Sequence, residues 1–163
     1  MTIPVEAYLA QRQRPAGTEK QLYLHPGRFC FTTEDVVIST VLGSCVSVCL
    51  YADGYAAAGV NHFLLPERAA RSEPARFGDS ANELLLGQFE NLGIPVPKLR
   101  AKVFGGASIA GSRIGDLASR NIEAAITFLD RHGIIILGQD TGGERGRKLL
   151  FRTSDAAAWI RLL

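Results

Sequence analysis

Between Ser39 and His62 the chain reads STVLGSCVSVCLYADGYAAAGVNH, which puts hydroxyls, a thiol and an imidazole into one short segment. A thiol with an imidazole in reach is the equipment of nucleophilic acyl chemistry. The sulfur attacks a carbonyl carbon, and the ring takes the thiol proton and hands it to the leaving group. Cys45 follows Gly43 and Ser44, residues suited to a tight turn, and the turn follows Val36-Val37-Ile38, an apolar run that reads as a buried strand. The spacing therefore predicts a thiol presented at a strand end. After it, Val46, Val48 and Leu50 alternate with Ser47, Cys49 and Tyr51, the period-two pattern of a strand with two unlike faces. His62 comes past an Asp53-Gly54 turn and a second short apolar run, so an antiparallel return brings it back beside the thiol.

The remaining chemistry-bearing residues give less. Cys30 and Cys49 read as small buried hydrophobes. Three cysteines without a metal pattern, in a chain that opens with no charged-then-apolar signal segment, point to a reducing cytoplasm. His25, His62 and His132 lack metal-ligand spacing, so no metal or cofactor is expected. Gly106 to Gly111 followed by Ser112 has the glycine spacing of a phosphate loop but no lysine after the second glycine, and reads as turns. Asp140-Thr141-Gly142 resembles one half of an aspartic protease site, whose mechanism needs two carboxylates. A single copy reads as a hairpin turn, with Arg145 and Arg147 solvated or facing an acidic partner.

These residues must be positioned by a fold of ordinary size. A chain of 163 residues buries roughly 70% of the surface its unfolded form exposes and needs no staples. With 47% hydrophobic and 21% charged residues it has the composition of a globular domain. A net charge of +2, with no basic stripe interleaved with aromatics, gives no reason to expect nucleic acid. The apolar runs fall far short of the ~20 residues of a membrane helix. Residues 1–21, with few large apolar side chains, read as a mobile N-terminal arm, and residues 22–163 as a single domain.

Along that domain, Leu22–Leu24 and Arg28–Thr32 flank a Pro26-Gly27 turn and suggest a hairpin. Residues 66–79 read as an exposed loop. Ser80 and Glu83 fit a capping box opening a helix that carries Ala81, Leu84, Leu85, Phe89 and Leu92 and ends at Gly93. Ala101–Phe104 is a strand running into Gly105-Gly106. A second helix runs from Asp116 or Ser119 to His132, with Ile122, Ala125, Ile126 and Leu129 on one side. Ile134–Leu137 and Lys148–Arg152 are strands around Thr141-Gly142-Gly143. Composition and periodicity thus reach mixed α and β, strand-rich, with two helices covering one side.

Five separated runs, TVLGSCVSVCLY, GVNHFLLPE, AKVFGGAS, IGDLASRN and DTGGERGRKLLF, occur in an order that resembles the CheD family of chemoreceptor glutamine deamidases, over roughly Leu22 to Phe151. The resemblance implies an α+β three-layer sandwich of mixed sheets with helices on one side. It implies hydrolysis of glutamine side chains on the cytoplasmic helices of methyl-accepting chemoreceptors, with Cys45 as nucleophile and His62 as its partner. The family's third catalytic residue is a threonine six positions before the cysteine, where this sequence has Ser39, with Thr40 one position later. Serine keeps the hydroxyl that orients an imidazole, so Ser39 is expected in the role and Thr40 in reserve. Strand neighbours face opposite ways, so only one of the two can serve. IGDLASRN is longer than the family's spacing. The resemblance also implies a CheC-type phosphatase as a possible partner, a cytoplasmic location at receptor clusters, and, as the alternative reading, an adaptor with weak or no catalysis.

Overall fold

The computed structural model describes residues 3–4, 20–68, 73–109 and 115–163. In chain order the strands are β1 Ile3–Pro4, β2 Gln21–Tyr23, β3 Arg28–Thr32, β4 Val37–Leu42, β5 Val46–Ala52, β6 Ala58–His62, β7 Leu99–Gly105, β8 Ile135–Thr141, β9 Arg147–Arg152 and β10 Ala158–Leu162. The helices are α1 Gly78–Asn91 and α2 Gly115–Arg131. A six-stranded central sheet has the order β1-β8-β7-β5-β6-β3, and a four-stranded outer sheet the order β10-β9-β4-β2.

The alternation in β5 sorts the layers. Val46, Val48 and Leu50 face the helices and pack with Leu85, Leu86 and Phe89 of α1 and Ala125 and Leu129 of α2. Cys49 faces the other way, into a second core with Ile38 and Leu42 of β4, Val60 of β6, Phe104 of β7 and Leu149 and Phe151 of β9. The result is outer sheet, central sheet, helices, in that order, the α+β three-layer arrangement expected. The return of β6 on β5 is antiparallel, with Cys49 opposite Val60.

Local expectations fared unevenly. Pro26-Gly27 does turn the chain, and Gly27 takes a positive φ of 74°. It closes no hairpin, because β2 pairs with β4 in the outer sheet while β3 pairs with β6 in the central one. The Thr141-Gly142-Gly143 turn likewise joins β8 in the central sheet to β9 in the outer sheet, where β9 lies between β4 and β10. Helix α1 starts at Gly78, so Ser80 lies inside it, its hydroxyl donating to the Pro74 carbonyl at 2.7 Å rather than capping. Leu84 and Leu92 of the expected apolar stripe are exposed, and Leu86 takes their place in the core. The loop expected over 66–79 gives way by Pro74–Arg76, a short 3₁₀ turn, and then α1. Of the expected N-terminal arm, Ile3–Pro4 pairs in parallel with Gly138–Gln139, and residues 1–2 and 5–19 lie outside the described residues. So do Ala110 to Ser112 of the phosphate-loop-like stretch, and Ile114 of IGDLASRN.

Candidate active site

Three connections between the sheets converge at one end of the sandwich. Residues 24–27 lead from β2 to β3, residues 43–45 from β4 to β5, and residues 142–146 from β8 to β9. Cys45 sits in the middle one. Its place is fixed from outside the turn: Gly106 N–H donates to the Cys45 carbonyl at 2.8 Å, and Ala107 N–H to the Gly43 carbonyl at 2.8 Å. The third crossing is tied to the same loop, Gly142 N–H donating to Gly105 at 2.9 Å and Ser108 N–H to Gly143 at 2.8 Å. Gly105 has φ 108°, and a Cβ there would overlap the Cys45 carbonyl oxygen, so the close approach requires glycine.

His62 ends β6. Val46 and Phe63 exchange backbone hydrogen bonds of 3.2 and 3.0 Å, which makes Cys45 and His62 diagonal neighbours on the face turned toward the outer sheet. Diagonal positions stand roughly 7–8 Å apart, a gap that an imidazole can span. The ring is 1% exposed. Its Nδ1 lies 2.8 Å from Thr40 Oγ1, across the interface between the sheets. Thr40 Oγ1 also lies 2.8 Å from the Leu24 carbonyl, which can only accept. The single hydroxyl proton of Thr40 therefore goes to Leu24, and Nδ1–H donates to Thr40. That assignment leaves Nε2 as a lone-pair acceptor, and no described group bonds it, the Cys45 thiol included.

The imidazole's partner is thus Thr40, not Ser39. On β4, Ile38, Thr40 and Leu42 face the central sheet, while Ser39 points to the opposite side of the outer sheet. The expectation for Ser39 is corrected by this parity. Cys45 itself is partly buried, and burial pushes its thiol pKa up, offset in part by its own backbone N–H. Burial pushes the His62 pKa down to about 4. At neutral pH the pair therefore rests as thiol and neutral imidazole, able to transfer a proton as bonding to carbon begins. Cys49 is fully buried, and burial drives its pKa far up. Cys30 is also raised by burial.

Other side chains that hold this end carried no local signal in the sequence. Asn121 of α2 is fully buried, and its Nδ2 donates to the carbonyls of Ser44 at 3.0 Å and Leu64 at 2.9 Å. Asn61 Oδ1 accepts from Val48 N–H at 2.8 Å, in place of a strand-to-strand bond, and its Nδ2 donates to Asn82 of α1 at 2.7 Å. Arg147 is neither solvated nor free for a partner. It is 2% exposed and pairs with Asp140, donating also to the Gly142 carbonyl, so a buried guanidinium clamps the partly exposed DTGG segment of the third crossing. His132 Nδ1 contacts the Phe128 carbonyl at 2.9 Å on α2, far along the chain from this cluster. Among the described residues no three His, Cys, Asp or Glu side chains cluster to hold a metal ion, and no helix is long and apolar enough to cross a membrane. A groove of ≈ 660 Å³ between α1 and α2 is lined by residues including Glu67, Arg120 and Phe128 and by none of the cluster around Cys45.

The family model for CheD, chemotactic sensory transduction, matches residues 64–162. A probable chemoreceptor glutamine deamidase CheD 1 of Anaeromyxobacter dehalogenans is 43% identical, over 98% of this chain and 95% of its own. The chain belongs to the CheD family. A second CheD relative, a probable chemoreceptor glutamine deamidase of Rhodospirillum rubrum, is 40% identical over 86% of this chain and 81% of its own. Among solved structures, a Neisseria meningitidis protein of family DUF152 aligns with a TM-score of 0.44 at 13% identity, over 77% of this chain and 64% of that one. The CheD family model begins just beyond His62, so it is the full-length relatives that span Cys45 and His62.

Proposed function

We propose that this chain hydrolyses glutamine side chains of chemoreceptors to glutamate and ammonia through a thioester on Cys45. The observation that carries the reading is the Thr40–His62 hydrogen bond, which fixes the tautomer and leaves Nε2 as a base on the face that carries Cys45. Amide nitrogen is a poor leaving group, so a strong nucleophile and a proton donor are both needed. The Cys45 thiol proton moves to His62 Nε2 as sulfur bonds to the side-chain carbonyl carbon. The resulting oxyanion faces the crossing turn, where the Ser44 and Cys45 N–H groups donate to no backbone carbonyl of a described residue and are the candidate oxyanion donors. The C–N bond breaks as the imidazolium gives its proton to nitrogen, releasing ammonia. Water, deprotonated by Nε2, then adds to the thioester carbon; the C–S bond breaks, the sulfur leaves with the electron pair and takes back the imidazolium proton, and the product is released as the glutamate carboxylate. Each turnover replaces a neutral amide by a carboxylate on a receptor helix.

The test is conversion of a chemoreceptor cytoplasmic fragment by the purified protein and by Cys45→Ala, read by mass spectrometry as glutamine-to-glutamate shifts of about one mass unit with matching ammonia release. Conversion by the parent and none by the variant is the expected result. Receptor binding without conversion by either protein would overturn it and favour the adaptor reading, in which a CheC-type phosphatase is the partner to seek. The reading places the protein in the cytoplasm, at receptor clusters.

A further inference from the structure

Asn121 stands outside the Cys45–Thr40–His62 set, yet its amide group reaches both strand ends that carry it. Its Nδ2 bonds the Ser44 carbonyl at 3.0 Å and the Leu64 carbonyl at 2.9 Å, the two protons of one NH₂ group serving one acceptor each. Ser44 O belongs to the peptide unit whose nitrogen is that of Cys45. A trans peptide is planar, with its C=O and N–H pointing in opposite directions. A bond that holds the Ser44 carbonyl toward α2 therefore aims the Cys45 N–H away from α2. A carbonyl that accepts a hydrogen bond also polarises its peptide and makes the attached N–H a stronger donor.

The second bond acts on the imidazole's strand. Leu64 lies two residues past His62, and Phe63 between them exchanges backbone bonds with Val46. One fully buried amide thus links the residue before the nucleophile to the segment after the base, from a helix 77 and 57 residues away along the chain. α2 comes this close because Gly106, with φ 71°, has no Cβ; one would overlap the Ile122 side chain.

We propose that Asn121 is a positioning residue for the reaction: through Ser44 O it orients and polarises the Cys45 N–H as the donor that stabilises negative charge first on the sulfur and then on the attacked oxygen, and through Leu64 O it holds His62 in register with Cys45. The proposal rests on the reading of Cys45 as nucleophile, but part of its test does not. The backbone N–H of Cys45 is already the group that pulls its thiol pKa down against burial.

The experiment uses the full chain in a Cys30→Ser background, with Asn121→Ala and the near-isosteric Asn121→Asp, each checked for folding by circular dichroism and thermal melting. The rate of Cys45 alkylation by iodoacetamide is followed against pH by peptide mass spectrometry, which reads the thiolate whether or not any receptor is a substrate. Both variants should shift the alkylation midpoint to higher pH and slow alkylation at pH 7 by about tenfold. On a receptor fragment, kcat should fall by about 10²-fold, the scale of losing one oxyanion donor, with KM within about twofold. Asn121→Gln, which keeps the NH₂ group, should recover part of both effects. A folded Asn121→Ala or Asn121→Asp variant with the parent's alkylation profile would overturn the proposal, and so would failure of both variants to fold, since the residue would then hold the fold and not the thiol. An altered alkylation profile in a protein whose parent form converts no receptor would sink the deamidase reading and leave this inference standing.

Discussion

At the end of the sandwich away from Cys45, polar groups find partners. The Thr153 hydroxyl accepts the Val36 N–H at 2.9 Å and donates to the Glu34 carbonyl at 2.7 Å, joining the β9–β10 turn to the approach to β4. Arg152 makes two bonds to Asp155 at 3.0 and 2.7 Å, and buried Lys102 reaches the Ala156 carbonyl. At the Cys45 end the same strands finish otherwise. Ser47 Oγ, His62 Nε2, Asn82 Nδ2, Asn121 Oδ1 and Arg147 Nε are buried without a hydrogen-bond partner among the described residues, and all five belong to the half of the molecule that holds the site. Unpaired buried polar atoms cost roughly 1–3 kcal/mol each. The contrast teaches where the fold carries that cost: side chains complete their bonds at one end, and single atoms of Ser47, His62, Asn82, Asn121 and Arg147 stay open at the other.

The harshest way to break the contrast is Gly105→Ala. The new methyl meets the Cys45 carbonyl at a φ of 108°, so urea unfolding should show a loss of about 3 kcal/mol or more together with loss of deamidation. Acid attacks the same end more selectively. Because burial lowers the folded His62 pKa to about 4, below the ordinary 6.5, protons bind the unfolded chain first. His62's share of stability is therefore whole above about pH 6.5 and drains as the pH falls toward 4, by on the order of 3 kcal/mol. Denaturation midpoints across that window should show the loss in the parent and a shallower one in His62→Gln.

Thr40→Val keeps the shape and removes the hydroxyl that fixes the imidazole. It should lower kcat by about 10²-fold, while Ser39→Ala leaves kcat within about twofold. Equal losses from the two variants would dissolve the assignment of Thr40. Thr153→Ala probes the completed end and should cost about 1–2 kcal/mol of stability with turnover unchanged. A drop in turnover there would show that the two ends are coupled.

The sequence made the ends of this story readable and hid its middle. Cys45 and His62 were legible because turn, strand and return are local, and the β5–β6 pairing followed from them. Thr40 was not, because β4 is apolar on both faces: Val37 and Val41 flank Ser39 as Ile38 and Leu42 flank Thr40, so alternation cannot say which side looks at the central sheet. The Pro26-Gly27 and Thr141-Gly142-Gly143 turns were found, but a turn motif does not say that its two strands join different sheets. Asn121 and Asn61 act on backbone groups that only tertiary packing brings near, and a lone asparagine in a helix or strand announces nothing of the kind.

The tethering of the crossing turn also sets an order of events in time. Cys45 and His62 leave the ribosome early, but the groups that hold the turn come from Gly106, Ala107 and Asn121, and the loop that supplies the first two is itself fastened to Gly142 and Gly143. Contacts of such long sequence separation form late. A nascent chain therefore carries Cys45 on an untethered turn through most of its synthesis, and the turn is fixed only when the final third of the protein has docked.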